Sequence, residues 1–222
     1  MTFILNVLHK DFSLLCSDRR AHSEGPSTMR MGNITIHAQG GITINGVRKL
    51  SLSADKVIAH GFAGNASDHA YREMIETSDS IDAVLSAIAQ HAAEFHCDRR
   101  TALQTTSYME NSCITTFFDS KLSTFFSSLR LFSLLGGQSH LYAARENGAM
   151  LLHIGSGSSS FEKAIPRDDI VSFAKSIQST GDIETSVAWL KHAYARVSEI
   201  DEGTGAEMVS LVSTRDHPHF SP

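Results

Sequence analysis

The sequence predicts an α+β fold in which two antiparallel sheets lie face to face with helix pairs on both outer faces, a four-layer αββα sandwich. Three observations point there. Strand-like runs crowd the first third of the chain and return in its middle, helical periodicity fills two separate blocks, and one last strand closes the chain. Strands and helices are thus segregated, whereas a doubly wound parallel sheet would alternate them. At 222 residues and 41% hydrophobic content the chain can bury a large core, and with no Pro/Gly/Ser-rich linker or solenoid-length repeat it reads as one domain over residues 1–222.

The elements follow in order. Thr2–His9 and Phe12–Ser17, separated by Lys10-Asp11, predict two short strands joined by a tight turn. Asn33–Ala38 and Gly41–Asn45 are alternating β-branched runs around Gln39-Gly40, which predicts a second hairpin. Val47–Leu52 and Lys56–Phe62 extend the β region. The period then changes. Ala66–Thr77 and Ile81–Cys97 carry apolar residues at helical spacing, the second with Ile81, Val84, Leu85, Ile88, Ala92 and Phe95 on one face and Ser80 as a reasonable N-cap, with Ser78 and Asp79 competing. In Thr101–Ser128, Phe117, Phe118, Phe125 and Phe126 mark buried surface without deciding between helix and strand. Strands resume at Leu129–Leu135, His140–Ala144 and Met150–Ile154, the last two separated by the turn signal Glu146-Asn147-Gly148. The glycine/serine stretch from Gly155 to Ser160 reads as a loop, followed by helices over Asp168–Ser179 and Glu184–Ser198 and a closing strand over Glu207–Thr214.

Composition narrows the function. A formal charge of -5 argues against general affinity for nucleic acid, and the basic pairs Arg19-Arg20 and Arg99-Arg100 are too short to reverse that. Three well-separated cysteines, Cys16, Cys97 and Cys113, do not make a disulfide framework, so a reducing cytoplasm is expected. The apolar start Thr2–Leu8 is interrupted by Lys10 and Asp11 before a signal-peptide core or membrane span could form, and no membrane partner is expected. Twelve histidines are present without the tight ligand spacing of a metal site, and neither metal nor cofactor is expected.

Thr2 stands directly behind Met1 and opens the first strand. Methionine aminopeptidases generally remove Met before a small residue, which would leave a hydroxyl and a free α-amine on one residue: a nucleophile with its own base. An α-amine with a pKa of about 7.7 to 8.0 suits that work at neutral pH. A nearby cation would lower that pKa further. Lys49 could supply the cation if Asp18 held its side chain, while Arg48 is the competing assignment. Lys49 is preferred because a compact ammonium suits point contacts to a hydroxyl and a carboxylate, and because Leu50 and Leu52 share a strand face with Arg48.

Six motifs in order complete the pattern: Thr2 with its strand, Cys16-Ser-Asp18-Arg-Arg-Ala21, Val47-Arg-Lys-Leu50, the run Asp55 to Asp68, Gly155-Ser-Gly-Ser158, and Asp201-x-x-Thr204-Gly205. In this motif order the chain resembles the proteasome β-type subunits and their bacterial relative HslV, members of the N-terminal nucleophile (Ntn) hydrolases. The resemblance spans most of the chain. It implies Thr2 as nucleophile, Asp18 and Lys49 as charged support, and Ser156, Asp201 and Thr204 as a polar cluster around the amine. It also implies the Gly61 amide as oxyanion donor, with Ala21, Ala59, His60 and Ala63 lining the substrate pocket. Phe3 stands where relatives often carry Thr, and Thr204 where Ser is usual. The segment from Ala21 to Lys49 is longer than in close relatives, so a hairpin at about 32–46 reads as an insertion.

The resemblance further implies a threonine-type endopeptidase that hydrolyses unfolded polypeptides through an acyl-enzyme, working in a homo-oligomeric double ring beside an ATPase unfoldase. Hexameric and heptameric rings fit equally. Two other readings stay open: a noncatalytic structural subunit of such a ring, and an Ntn amidase that acts on a small amide.

Overall fold

The computed structural model describes residues 2–23, 25–31, 34–63, 73, 75–78, 80, 82–84, 86, 111–133 and 136–222. In chain order the strands are β1 (Ile4–Leu8), β2 (Phe12–Asp18), β3 (Arg20–Ser23), β4 (Ser27–Met31), β5 (Ile34–Ala38), β6 (Ile42–Asn45), β7 (Leu50–Leu52), β8 (Ile58–Ala63), β9 (Asn111–Asp119), β10 (Thr124–Ser133), β11 (Gly136–Ala143), β12 (Met150–Ile154) and β13 (Met208–Thr214). Three helices, α1 (Gly157–Ala164), α2 (Arg167–Thr180) and α3 (Ile183–Ile200), lie between the last two strands. Shorter helical backbone occurs at 75–77 and 82–84. The predicted helices Ala66–Thr77 and Ile81–Cys97 lie largely outside the described residues, as does the stretch 101–110.

The chain builds antiparallel sheets and helices. Of the two larger sheets, the first has the order β12-β1-β2-β13 and the second β11-β10-β9-β8-β7; β3-β6 and β4-β5 form two-stranded sheets. Side chains of β1 and β2 point alternately into two cores, so both strands are buried on both faces even where they carry Asn6, Ser13 and Ser17. On one face Phe3, Leu5, Val7, Phe12, Leu14 and Cys16 pack with Phe161, Phe173, Ile177, Leu190, Tyr194 and Val197 from the three helices. On the other, Ile4 and Leu15 join Ile154 and Leu211 against Leu50, Ala59, Ala63 and Ile114 of the second sheet. The far face of that second sheet buries Ile58, Cys113 and Phe117 with Ile75 and Val84.

A buried polar relay crosses between the sheets. Asn6 Nδ2 donates to Ser13 Oγ at 3.1 Å, Ser13 Oγ lies 2.7 Å from Thr116 Oγ1, and Thr116 donates to the Phe126 carbonyl at 3.0 Å. Because the Thr116 proton is committed to Phe126, the Ser13 proton runs to Thr116, and every bond in the relay has one direction. Such a chain holds the two sheets at one offset, since sliding them would strand several buried groups.

Four local expectations are revised. First, Asn33–Ala38 and Gly41–Asn45 do not pair with each other. β5 pairs with β4 from Met31↔Ile34 to Ser27↔Ala38, and β6 pairs with β3 from Ser23↔Ile42 to Arg20↔Asn45. The two pairs are nested, forming one long arm with β3 and β4 going out and β5 and β6 returning. Gln39-Gly40 interrupts the returning strand. Alternation tells which residues share a face; it does not name the strand opposite.

Second, the glycine/serine stretch is helical from Gly157 onward. The buried residues of α1 are Gly157, Phe161 and Ala164, a helical spacing whose burial outweighs the poor helix propensity of glycine and serine. Third, the strand predicted at His140–Ala144 begins at Gly136, and the turn at 146–148 leads out of its sheet: β11 lies beside β10, and β12 crosses to the other sheet beside β1. Fourth, the strands around Asp55 are shorter than predicted. The Asp55 carboxylate accepts from Ser53 Oγ at 2.6 Å and from the Val57 amide at 3.2 Å, and Lys56 takes a left-handed φ of 61°, so β8 starts only at Ile58. Within Thr101–Ser128, residues from 111 onward form the β9–β10 hairpin, with Phe117 opposite Phe126 and Phe118 opposite Phe125.

The helices close cleanly. Asp182 caps α3 by accepting from the Thr185 amide at 3.2 Å, and Gly181, at φ 59°, ends α2 in the left-handed conformation that glycine adopts without strain. Leu190 is fully buried between the helices and the first sheet. Leu190→Ala should cost about 2–5 kcal/mol of stability, seen as a lower urea midpoint with an unchanged slope.

Candidate active site

The antiparallel register of β1 and β2 brings the start of one beside the end of the other. Asp18 donates its amide to the Phe3 carbonyl at 3.3 Å, and the Phe3 amide donates to Asp18 Oδ1 at 2.9 Å. The carboxylate of Asp18 is fully buried and accepts from four donors. Oδ1 takes the Phe3 amide and Lys49 Nζ at 2.7 Å; Oδ2 takes the amides of Arg20 at 2.9 Å and Gly205 at 3.1 Å. A charge so deep is tolerable only with a counter-charge and full hydrogen bonding, and both are present.

Lys49 sits just before β7, 8% exposed, and its ammonium donates to Asp18 and to the Arg20 carbonyl. Burial pushes its pKa down, while Asp18 and, more weakly, Asp201 push it back up. Arg48 points elsewhere, pairing with Glu76 at 2.9 Å and donating to the Leu50 carbonyl at 3.1 Å. The cation on Asp18 is therefore Lys49.

The turn from β12 into α1 closes over Thr2. Ser156, the residue before α1, accepts from the Thr2 nitrogen at 3.1 Å, and its own hydroxyl and the Gly157 amide both reach the Thr2 carbonyl at 3.4 Å. With Met1 attached that nitrogen is a peptide N–H; removal of Met1 would leave an α-amine on the same atom. Two glycines permit the approach. Gly155 has φ 95°, and a Cβ there would lie 2.0 Å from the Thr2 carbonyl oxygen. A Cβ on Gly157 would come within 2.7 Å of both the Phe3 Cβ and Thr204 Oγ1.

The loop after α3 supplies the remaining wall. Asp201 ends the helix, accepting the Gly203 amide on Oδ1 at 2.9 Å and the Thr204 hydroxyl on Oδ2 at 2.8 Å. Thr204 is fully buried. Arg20 braces this loop by donating from Nη1 to the carbonyls of Glu202 at 3.3 Å and Thr204 at 3.4 Å.

Thr2, Asp18, Lys49, Ser156, Asp201 and Thr204 thus come from five separated stretches of chain to one place. Gly61 does not join them as an oxyanion donor. The Phe62 amide donates to the Lys49 carbonyl, and alternate amides of an antiparallel strand face opposite neighbours, so the Gly61 amide is turned into the ladder with β9, opposite Ile114. Nor do Ala59 and His60 offer open pocket walls: Ala59 is fully buried between the sheets, and His60, 2% exposed, holds Thr115 at 2.7 Å. Ala63 is buried too, close to Gly155, while Ala21 is partly exposed on β3 opposite Ile44.

The bracing role of Arg20 was not read from the sequence, although it stands in the Asp-Arg-Arg motif. Neither were the parts played by Phe3 and Gly155. Among the described residues no group of three His, Cys, Asp or Glu could hold a metal ion. Cys16 and Cys113 are free thiols whose burial pushes their pKa values up, so both stay protonated.

No family model and no curated protein matches this chain. Among solved structures it is similar to eukaryotic HslV from Trypanosoma brucei, over 95% of this chain and 98% of that one, with 16% identity and a TM-score of 0.46.

Asp18→Asn should cost about 3–5 kcal/mol, because it leaves the Lys49 ammonium buried without its counter-charge. Adding Lys49→Met to that variant should return part of the loss, since both charges are then gone. Denaturant midpoints of the two variants and the parent check both statements.

Proposed function

We propose that this protein is an N-terminal threonine peptidase that hydrolyses polypeptides through an ester on Thr2. One observation carries the proposal: the Thr2 nitrogen rests 3.1 Å from Ser156 Oγ, while the next peptide unit is fixed on Asp18, whose carboxylate holds the buried Lys49 ammonium. A merely structural strand end has no need of a buried ion pair behind it. The order of motifs along the chain supports the same reading.

The chemistry begins with removal of Met1. The Thr2 hydroxyl attacks the scissile carbonyl as the α-amine takes its proton, and a tetrahedral oxyanion forms. Collapse breaks the C–N bond, and the proton passes from the ammonium to the leaving amine. Water, deprotonated by the same α-amine, then attacks the ester and frees Thr2. Lys49 keeps the α-amine neutral by electrostatic repulsion, and Ser156 with the Asp201–Thr204 pair orients it. The oxyanion falls to an amide other than that of Gly61.

The substrate class under this reading is an unfolded polypeptide. The resemblance in motif order supports a four-layer sandwich assembled into a homo-oligomeric double ring in the cytoplasm, served by an ATPase unfoldase. A noncatalytic ring subunit or a small-amide hydrolase would retain the same fold.

Intact mass before and after treatment with a peptide epoxyketone, which captures the hydroxyl and amine of an N-terminal threonine together, is the deciding test. Loss of Met1 with a single adduct on Thr2 is expected; retained Met1 without adduct would make the chain a structural subunit. Turnover of small amides but not of peptides would make it an amidase. Thr2→Ala should abolish peptide turnover without changing the assembly seen by sedimentation. Lys49→Ala should lower kcat by about a thousandfold or more in the same assay, a loss comparable to that of a preorganised electrostatic group.

A further inference from the structure

Tyr194 lies on α3, fully buried, with its ring beneath the start of the first strand. Its hydroxyl donates to the Cys16 carbonyl at 3.0 Å and reaches the Phe3 carbonyl at 3.3 Å, so it spans β1 and β2 where they lead to Thr2 and Asp18. Between those strands, the rung from the Asp18 amide to the Phe3 carbonyl is long at 3.3 Å, and the Tyr194 hydroxyl lies across it, its one proton shared between the nearer Cys16 carbonyl and the Phe3 carbonyl. The side chain of Phe3 is gripped as well, its ring centre 5.0 Å from that of Tyr194 and 5.6 Å from that of Phe161.

Phe3 is therefore held by its amide, its carbonyl and its ring, one residue after Thr2. The contacts of the Thr2 carbonyl, to Ser156 and Gly157, are both 3.4 Å, long for hydrogen bonds. Phe3, held at three points, therefore helps to place Thr2 through the peptide that joins them. Core volume alone does not call for the Tyr194 hydroxyl, since phenylalanine would fill the same space without the cost of burying a polar group.

Resting on the peptidase reading, we propose that Tyr194 is a positioning residue: its hydroxyl fixes the Phe3 peptide so that the Thr2 nitrogen stays on Ser156. It acts through Phe3 and takes no part in the proton transfers. Burial raises its pKa well above the usual phenol value, so it remains a neutral donor wherever the fold persists.

The test is Tyr194→Phe in the full chain, read by peptide kinetics and by amide hydrogen exchange. With the ring kept, KM should stay within about twofold while kcat falls about tenfold, because a nucleophile displaced by a fraction of an ångström loses its line of attack. Exchange at the Phe3 amide, whose own bond to Asp18 remains, should quicken about tenfold as the less firmly held strand end opens more often. Phe173→Leu, in the same helical layer but away from Phe3, serves as control: it should lower stability yet leave kcat and Phe3 exchange as in the parent. The proposal is overturned by a parental kcat in Tyr194→Phe, by unchanged exchange at Phe3, or by an equal kcat loss in the control. If the parent protein neither cleaves peptides nor takes the epoxyketone, the peptidase reading fails, and Phe3 exchange alone decides whether Tyr194 fixes that peptide.

Discussion

The carboxylate of Asp18 is the point on which the rest of this structure depends. Its four donors come from the start of β1, the base of the arm, the approach to β7 and the loop after α3, so segments distant in sequence close on one side chain. Water is excluded from it, and the Lys49 ammonium is the compensating charge. Each donor is worth little alone, yet losing any one leaves a deeply buried group short of a partner. This makes the arrangement all-or-none, and it fixes backbone as firmly as side chain because three of the four donors are amides.

That rigidity bears on chemistry. Thr2 is 7% exposed and leads directly into β1, a central strand buried on both faces. The glycine turn of β12 approaches its backbone more closely than any residue with a Cβ would allow. On the proposed peptidase reading, a Thr2 whose backbone is so confined has less conformational freedom to lose on reaching a transition state, which is how positioning lowers a barrier. The helices take part at their ends: Ser156 precedes α1 and Asp201 follows α3, so the polar groups stand where the backbone leaves regular structure.

Much of this was legible in the chain because local chemistry left a mark. A small hydroxyl residue behind Met1, an aspartate closing the first hairpin, a Gly-Ser-Gly-Ser turn and an Asp-x-x-Thr loop each carry residue types suited to the contacts they make. The segregation of strands from helices likewise foretold antiparallel sheets. Other features left weaker marks. The helical spacing of Gly157, Phe161 and Ala164 was present, but the serine-rich composition between them reads as loop. The partner of β5 could not be named from alternation, since pairing is a long-range choice. Gly61 looked free to serve an oxyanion until the ladder settled which way its amide turns. Tyr194 gave no signal beyond an aromatic residue on the apolar face of a helix.

The arm formed by β3 to β6 has a consequence for how this chain can vary. Three residues separate β3 from β4 and three separate β5 from β6, so a single register runs from Arg20↔Asn45 out to Met31↔Ile34. Successive residues of a strand alternate faces, and a one-residue change on one side would shift the register of every pair beyond that point. Length is therefore gained or lost only in matched pairs. At its root the arm is tied down by Arg20, whose Nε donates to Asn45 and whose carbonyl receives Lys49. The arm is thus a ruler with a fixed zero: its reach can be reset in discrete steps while the ion pair at its origin keeps its geometry.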